Sequence, residues 1–175
     1  LNSAQAQQSH PFVVKAREKT AAIQPTMYGI FFEDINFGAD GGLYAELVKN
    51  RSFEFYTPLM GWKEQKKEGG KGTIQLLNRG EREANPRYAR FTIQSDKGYG
   101  LSNEGFRGMG IKANNQYDFS VLARVVAGNP TLHLQLVSSA GETIGTARLP
   151  VNTREWERHQ VSFSATATEA RAILF

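Results

Sequence analysis

At 175 residues and 40% hydrophobic, the chain can bury a real core but falls short of the roughly 250 residues a (β/α)8 barrel needs. Its 21 Lys and Arg against 17 Asp and Glu give a net charge of +4. The basic residues are scattered, and the densest run, Lys63-Glu64-Gln65-Lys66-Lys67-Glu68, is broken by acids, so the one-faced charge of a nucleic-acid site is not expected. Cysteine is absent, which excludes disulfides and thiolate metal sites, and no apolar run approaches a membrane span.

In chain order, Ala4-Gln5-Ala6 fits the small-x-small end of a secretory signal, with Gln7-Gln8-Ser9 as a soluble start. Residues 1–10 are thus expected to be a disordered remnant of an export signal, and the protein to be extracytoplasmic, periplasmic or secreted. Met27 to Phe32 is a nearly continuous apolar run, the pattern of a strand buried on both faces. It ends abruptly at Glu33, followed by a polar loop with Asn36. Asp40 is a plausible N-cap, and Leu43 with Leu47, and Tyr44 with Val48, pair at i,i+4. Residues 11–56 are therefore expected to be an N-terminal strand and one βα unit. Polar residues at the carboxyl end of such a strand point into ligand sites, which makes Glu33 and Asn36 candidates for substrate binding.

After Tyr56 the pattern changes. Thr57-Pro58, Gly61 and Glu68-Gly69-Gly70-Lys71-Gly72 break the chain. Short strand patterns follow at Thr73–Leu77, Tyr88–Gln94, Gly108–Ile111, Tyr117–Val126, Thr131–Val137, Thr143–Leu149, Trp156–Ser164 and Ala170–Phe175. Strands at this spacing predict a two-sheet sandwich over residues 57–175, with a jelly roll the favoured version. The fold class is thus mainly β: a jelly-roll β-sandwich preceded by a single βα unit. The apolar strand Arg171-Ala172-Ile173-Leu174-Phe175 has no closing turn, so the sandwich is expected to be cut near its last strands.

Two resemblances rest on these residues. Tyr28-Gly29-Ile30-Phe31-Phe32-Glu33-Asp34-Ile35-Asn36, Gly41-Gly42-Leu43-Tyr44-Ala45-Glu46-Leu47-Val48 and Asn50-Arg51-Ser52-Phe53-Glu54 resemble the N-terminal signature of family-51 glycoside hydrolases, the α-L-arabinofuranosidases. The order Asn85-Pro86-Arg87-Tyr88, Gly100-Leu101-Ser102-Asn103-Glu104-Gly105-Phe106-Arg107-Gly108, Gln116-Tyr117-Asp118-Phe119-Ser120 and Trp156 resembles jelly-roll carbohydrate-binding modules of families 4 and 9. Together they imply the N-terminal part of a retaining arabinofuranosidase acting on arabinan or arabinoxylan. The first strand and helix of its (β/α)8 barrel would be followed by an inserted sandwich.

By that resemblance Glu33 hydrogen-bonds the arabinose hydroxyls, and the catalytic nucleophile and acid/base lie on later barrel strands, so this chain supplies no catalytic residue. Asn103-Glu104 imitates the acid/base dipeptide but lies in the Gly100–Gly108 turn region, without a barrel strand before it. For the sandwich, Trp62, Tyr99, Phe106 and Arg107 are the carbohydrate-binding candidates, while Trp156 is expected to fill the core. Asn50-Arg51-Ser52 matches a glycosylation acceptor but follows a segment that should be packed. His10, His133 and His159 are too far apart for a ligand set, so no metal is expected, and the resemblance implies no cofactor.

The expected partners are an arabinose-containing polysaccharide or oligosaccharide and the C-terminal barrel of the same parent chain, with no nucleic acid and no membrane. The unit's exposed Ile30-Phe31-Phe32 strand is expected to be disordered, re-paired, or covered by another copy in a homo-oligomer. A non-catalytic carbohydrate-binding module and a sugar-free interaction sandwich are the alternative functions.

Overall fold

The computed structural model describes residues 12–18, 21, 22, 24, 26, 29, 33, 38–40, 42–80, 84–95 and 98–175. The chain divides into two compact units, Leu1–Glu33 and Asp34–Phe175. The described residues of the first include a turn closed by Glu18 N donating to Lys15 O, with a Lys15–Glu18 ion pair at 3.2 Å.

The second unit holds the strands: β1 (Trp62–Lys66), β2 (Gly72–Asn78), β3 (Arg87–Ile93), β4 (Tyr99–Asn103), β5 (Met109–Ile111), β6 (Gln116–Ala123), β7 (Thr131–Val137), β8 (Thr143–Pro150), β9 (Glu157–Ser164) and β10 (Glu169–Leu174). The main sheet runs β1-β4-β10-β7-β8, and β5 also pairs with β10. Two antiparallel ribbons, β2–β3 and β6–β9, complete the described strands. The expected mainly-β sandwich is the fold observed.

Alternation drives this arrangement. Along β6, Tyr117, Phe119 and Val121 turn inward while Gln116, Asp118 and Ser120 face solvent. Met109 and Ile111 of β5, Leu136 of β7, Ile144 of β8, and Ala172 and Leu174 of β10 form the buried centre with Ala165. Tyr117, Phe119 and Phe163 of the β6–β9 ribbon cover it as the second layer. Burying a side chain the size of Met109 or Ile111 contributes about 1.5–3 kcal/mol. The layers approach closely at Gly145, where an added Cβ would sit 3.3 Å from Ser164 O and 3.4 Å from the Phe163 ring.

The structure differs from the sequence pattern at three places. The helix expected after Asp40 is not formed over the described residues. Turns occupy Gly42 and Leu43, closed by Leu43 N to Gly38 O and Tyr44 N to Ala39 O. A nine-residue helix is marginal unless its apolar face is packed. Leu43 is 83% and Tyr44 58% exposed, so that face is not buried, and of the four apolar residues Leu47 and Val48 pack against the sandwich core. The preceding Met27–Phe32 run lies, Gly29 apart, outside the described residues.

The charged run Lys63–Lys66 is part of β1, which among the described strands pairs only β4, and its charges blunt that edge. Part of the expected Gly100–Gly108 turn region is likewise a strand, β4. Its Gly, Ser and Asn are poor strand formers, but the hydrogen-bonded neighbours β1 and β10 hold it extended.

Candidate functional site

The end of the arabinofuranosidase-like signature is stitched into the sandwich. Asn103, at the end of β4, is 0% exposed. Its Oδ1 accepts from Lys49 N (3.0 Å) and Gly105 N (3.0 Å), and its Nδ2 donates to Lys49 O at 2.9 Å. Asn50 is also buried: Nδ2 donates to Pro58 O and Met60 O, and Oδ1 accepts from Phe55 N. With its amide engaged in this way, Asn50 presents no accessible glycosylation acceptor. Glu54 accepts from Arg87 N at 2.8 Å and pairs with the Arg87 guanidinium at 3.4 Å, tying the same segment to β3. Arg51 reaches back to Asp40 and Glu46 and lies over the Tyr44 ring. Much of the signature's polarity after Asp40 is thus committed to holding the chain.

The predicted site residues fall in several places. Glu33 is exposed and belongs to the first compact unit, while Asn36 lies outside the described residues. Trp62 is half-buried; its Nε1 donates to Asn50 O at 3.0 Å and its ring meets Phe53 at 5.4 Å. Phe106, half-buried, and Arg107, exposed, occupy the turn after β4, closed by Gly108 N to Glu104 O at 3.0 Å. That turn needs Gly108, whose φ is +88° and whose added Cβ would lie 2.6 Å from the Arg171 backbone.

Trp62 pairs with Asn103, so Trp62, Phe106 and Arg107 share one end of the β1–β4 pair. Tyr99 pairs with Lys66 at the other end, about 13 Å along the strand. Its hydroxyl donates to Glu64 Oε1 at 2.7 Å. Burial, then that hydrogen bond to the carboxylate, push the Tyr99 phenol up to about 12. The same hydroxyl, followed by the Lys66 ammonium, holds Glu64 below the usual carboxylate range. In the decoy dipeptide, Asn103 is the clasp described above and Glu104 pairs with Lys49 at 3.3 Å.

A second surface went unnoticed in the sequence. The outer face of the β6–β9 ribbon carries the pairs Asp118↔Ser162, Ser120↔Gln160 and Leu122↔Arg158. Asp118, Gln160, Val161 and Ser162 line a shallow open depression at one end. Asp118 accepts from Ser162 Oγ (2.5 Å) and Gln116 Nε2 (3.3 Å), bonds that hold its carboxyl below the usual range, the serine bond being the larger cause. At the other end stands Trp156. It is half-buried and outside the buried centre, contrary to expectation. The Tyr88 ring meets it edge-on at 5.2 Å, and the Arg79 and Arg124 guanidiniums lie 5.2 and 5.4 Å from its centroid. Strand register assembles these residues from distant points of the chain, so periodicity alone gave no signal. Among the described residues no group of His, Asp and Glu is placed to hold a metal ion.

No family model matches the chain. The extracellular exo-α-L-arabinofuranosidase of Streptomyces chartreusis is 39% identical over 175 residues, covering 94% of this chain and 20% of that protein. An arabinose-bound family-51 α-L-arabinofuranosidase of known structure shares the fold, with a TM-score of 0.63 over 84% of this chain and 28% of that one, at 24% identity. The chain belongs to the family-51 α-L-arabinofuranosidases. α-L-Arabinofuranosidase 1 of Arabidopsis thaliana is 31% identical over 87% of this chain. The chain spans only 20% and 24% of the length of these Streptomyces and Arabidopsis relatives. In this chain, the clasp made by Asn50, Glu54 and Asn103 is where signature and sandwich meet.

Proposed function

We propose that this chain is the N-terminal part of a retaining α-L-arabinofuranosidase that releases terminal arabinofuranose from arabinan or arabinoxylan. The observation that carries the reading is the 39% identity over 94% of the chain to a protein named for that activity. Residues 1–10 are then the mature N-terminus, 11–56 the barrel's first unit and 57–175 the inserted sandwich. The remaining barrel of the same parent chain is its partner. An extracytoplasmic location is supported by the Streptomyces relative, which is named as extracellular. Among the described residues no helix is long and apolar enough to cross a membrane.

Retention requires a nucleophile and an acid/base about 5–5.5 Å apart. Glu33 does neither job here. It accepts hydrogen bonds from paired hydroxyls of the arabinose ring, with Asn36 lining the same subsite, and so fixes the ring against groups supplied by later strands. Without those groups nothing drives bond cleavage, and the 175-residue chain by itself is inactive. Trp62, Phe106 and Arg107, gathered at one end of β1–β4, and Tyr99 at the other, are candidates for contact with the polysaccharide. A binding module without catalysis is the second reading, favoured by the polar outer face of β6–β9.

The test is hydrolysis of a chromogenic α-L-arabinofuranoside by this chain and by a chain extended to the full length of the relatives. Turnover by the extended chain alone is expected. Turnover by the 175-residue chain, or none by the extended one, would overturn the proposal.

A further inference from the structure

The Trp156 end of the β6–β9 face has an electrostatic arrangement that sandwich packing does not require. In register, Ala123 pairs with Glu157, so continuing the ladder by one residue sets Arg124 opposite Trp156. Arg79 comes from the end of β2 and is anchored by its backbone N donating to Pro86 O and its Nη2 to Asn85 O. Both guanidiniums therefore sit against one indole, 5.2 and 5.4 Å from its centroid, while Tyr88 supports the ring from the side.

None of the ion pairs among the described residues involves either arginine. Both side chains are exposed, and Arg158, opposite Leu122, adds a third cation on the same face. Glu157, next to Trp156, alternates to the other face. A planar guanidinium resting on an aromatic ring keeps edge donors for a carboxylate: Arg79 commits Nη2 to Asn85 O and retains its others.

We propose that Arg79, Arg124 and Trp156 form a subsite for a carboxylate-bearing sugar unit, a uronate, in the polysaccharide this protein meets. The proposal rests on the arabinofuranosidase reading and adds an acidic backbone to its substrate class. The rest of the face fits a saccharide better than a polyphosphate. Ser120, Gln160 and Ser162 offer hydroxyl and amide partners along the ribbon, and the ionised Asp118 at the far end accepts from neutral hydroxyls but repels a second phosphate. The acidic sugar belongs at the arginine end and a neutral unit at the Asp118 end.

Isothermal titration of this chain with a galacturonate oligosaccharide, its methyl ester and a neutral arabino-oligosaccharide tests the assignment. The acid is expected to bind, more weakly as salt is raised, and the ester to bind at least tenfold more weakly. Arg79→Gln and Arg124→Gln should each cost about tenfold, the scale of one charge-assisted contact. Arg124→Lys keeps the charge and the packing stem but loses the fork, and should also weaken binding severalfold. Arg148→Gln removes the same charge from β8 and should change nothing, with near-UV circular dichroism confirming that each variant is folded.

Equal binding of acid and ester, an equal loss in Arg148→Gln, or tighter binding of a DNA oligonucleotide of matched charge would overturn the subsite. Binding of the neutral oligosaccharide alone would also overturn it while leaving the arabinofuranosidase reading intact. Hydrolysis by the extended chain tests that reading separately.

Discussion

Replacing Asn103 by alanine is predicted to be among the most damaging single changes in the sandwich, although it removes no apolar surface of consequence. The side chain is 0% exposed and makes three hydrogen bonds, two accepted and one donated. Alanine strands Lys49 N, Lys49 O and Gly105 N. Each buried polar group left unpaired costs about 1–3 kcal/mol. The Lys49 groups are only part-buried, so water recovers some of this, and a loss of about 3–5 kcal/mol is expected. Against a total stability of about 5–15 kcal/mol that is a large share, equivalent to roughly 10 °C in Tm.

Urea unfolding followed by tryptophan fluorescence is a direct assay, because Trp62 is bonded to Asn50 in the same clasp. Asn78→Ala is the control: Asn78 accepts a local bond from Gly80 N at 2.7 Å, but on the surface, and its loss should cost less than about 1 kcal/mol. If the two variants lose the same small amount, the clasp does not hold the signature to the sandwich and the reasoning fails.

Spectrophotometric titration should find Tyr99 ionising near 12, above the ordinary value of 10.0, and Tyr99→Phe should remove that late step. Because the folded value is the raised one, the stability Tyr99 contributes is complete below pH 10 and is lost as pH climbs toward 12. On the acid side, backbone N–H groups of Arg171 and then Ser139, with the Ser139 hydroxyl, hold Glu169 below its ordinary 4.5. That contribution is present above pH 4.5 and disappears as pH falls through the lowered value, so Glu169→Gln should flatten the acid limb of a stability–pH curve; an unchanged slope would refute this. In the extended, active chain, Glu33→Gln should lower kcat/KM by about 10- to 100-fold, the scale of a hydrogen bond to a charged group, with stability unchanged. A matching loss of stability would reassign Glu33 to structure.

The sequence by itself determined the class of fold and, nearly to the residue, the strands whose side chains alternate. Thr131–Val137 was legible because Leu132, Leu134 and Leu136 share the more buried face, and that burial writes a period of two into the chain. The signature was legible too, as a string of residue types. What those types do was not. Asn50, Glu54 and Asn103 carry no periodicity, and their partners are backbone groups and an arginine that only the folded chain brings near.

Strands β1 and β4 were hidden because an edge strand and a Gly-Ser-Asn strand are stabilised by neighbours rather than by their own propensity. The same physics removed the helix after Asp40, whose stripe of Leu43 and Tyr44 is apolar but stays largely exposed. Tertiary structure alone decided the Trp156 cluster. Arg79, Tyr88, Arg124 and Trp156 are far apart in sequence, and they meet because strand pairing converts register, a property of two segments at once, into position.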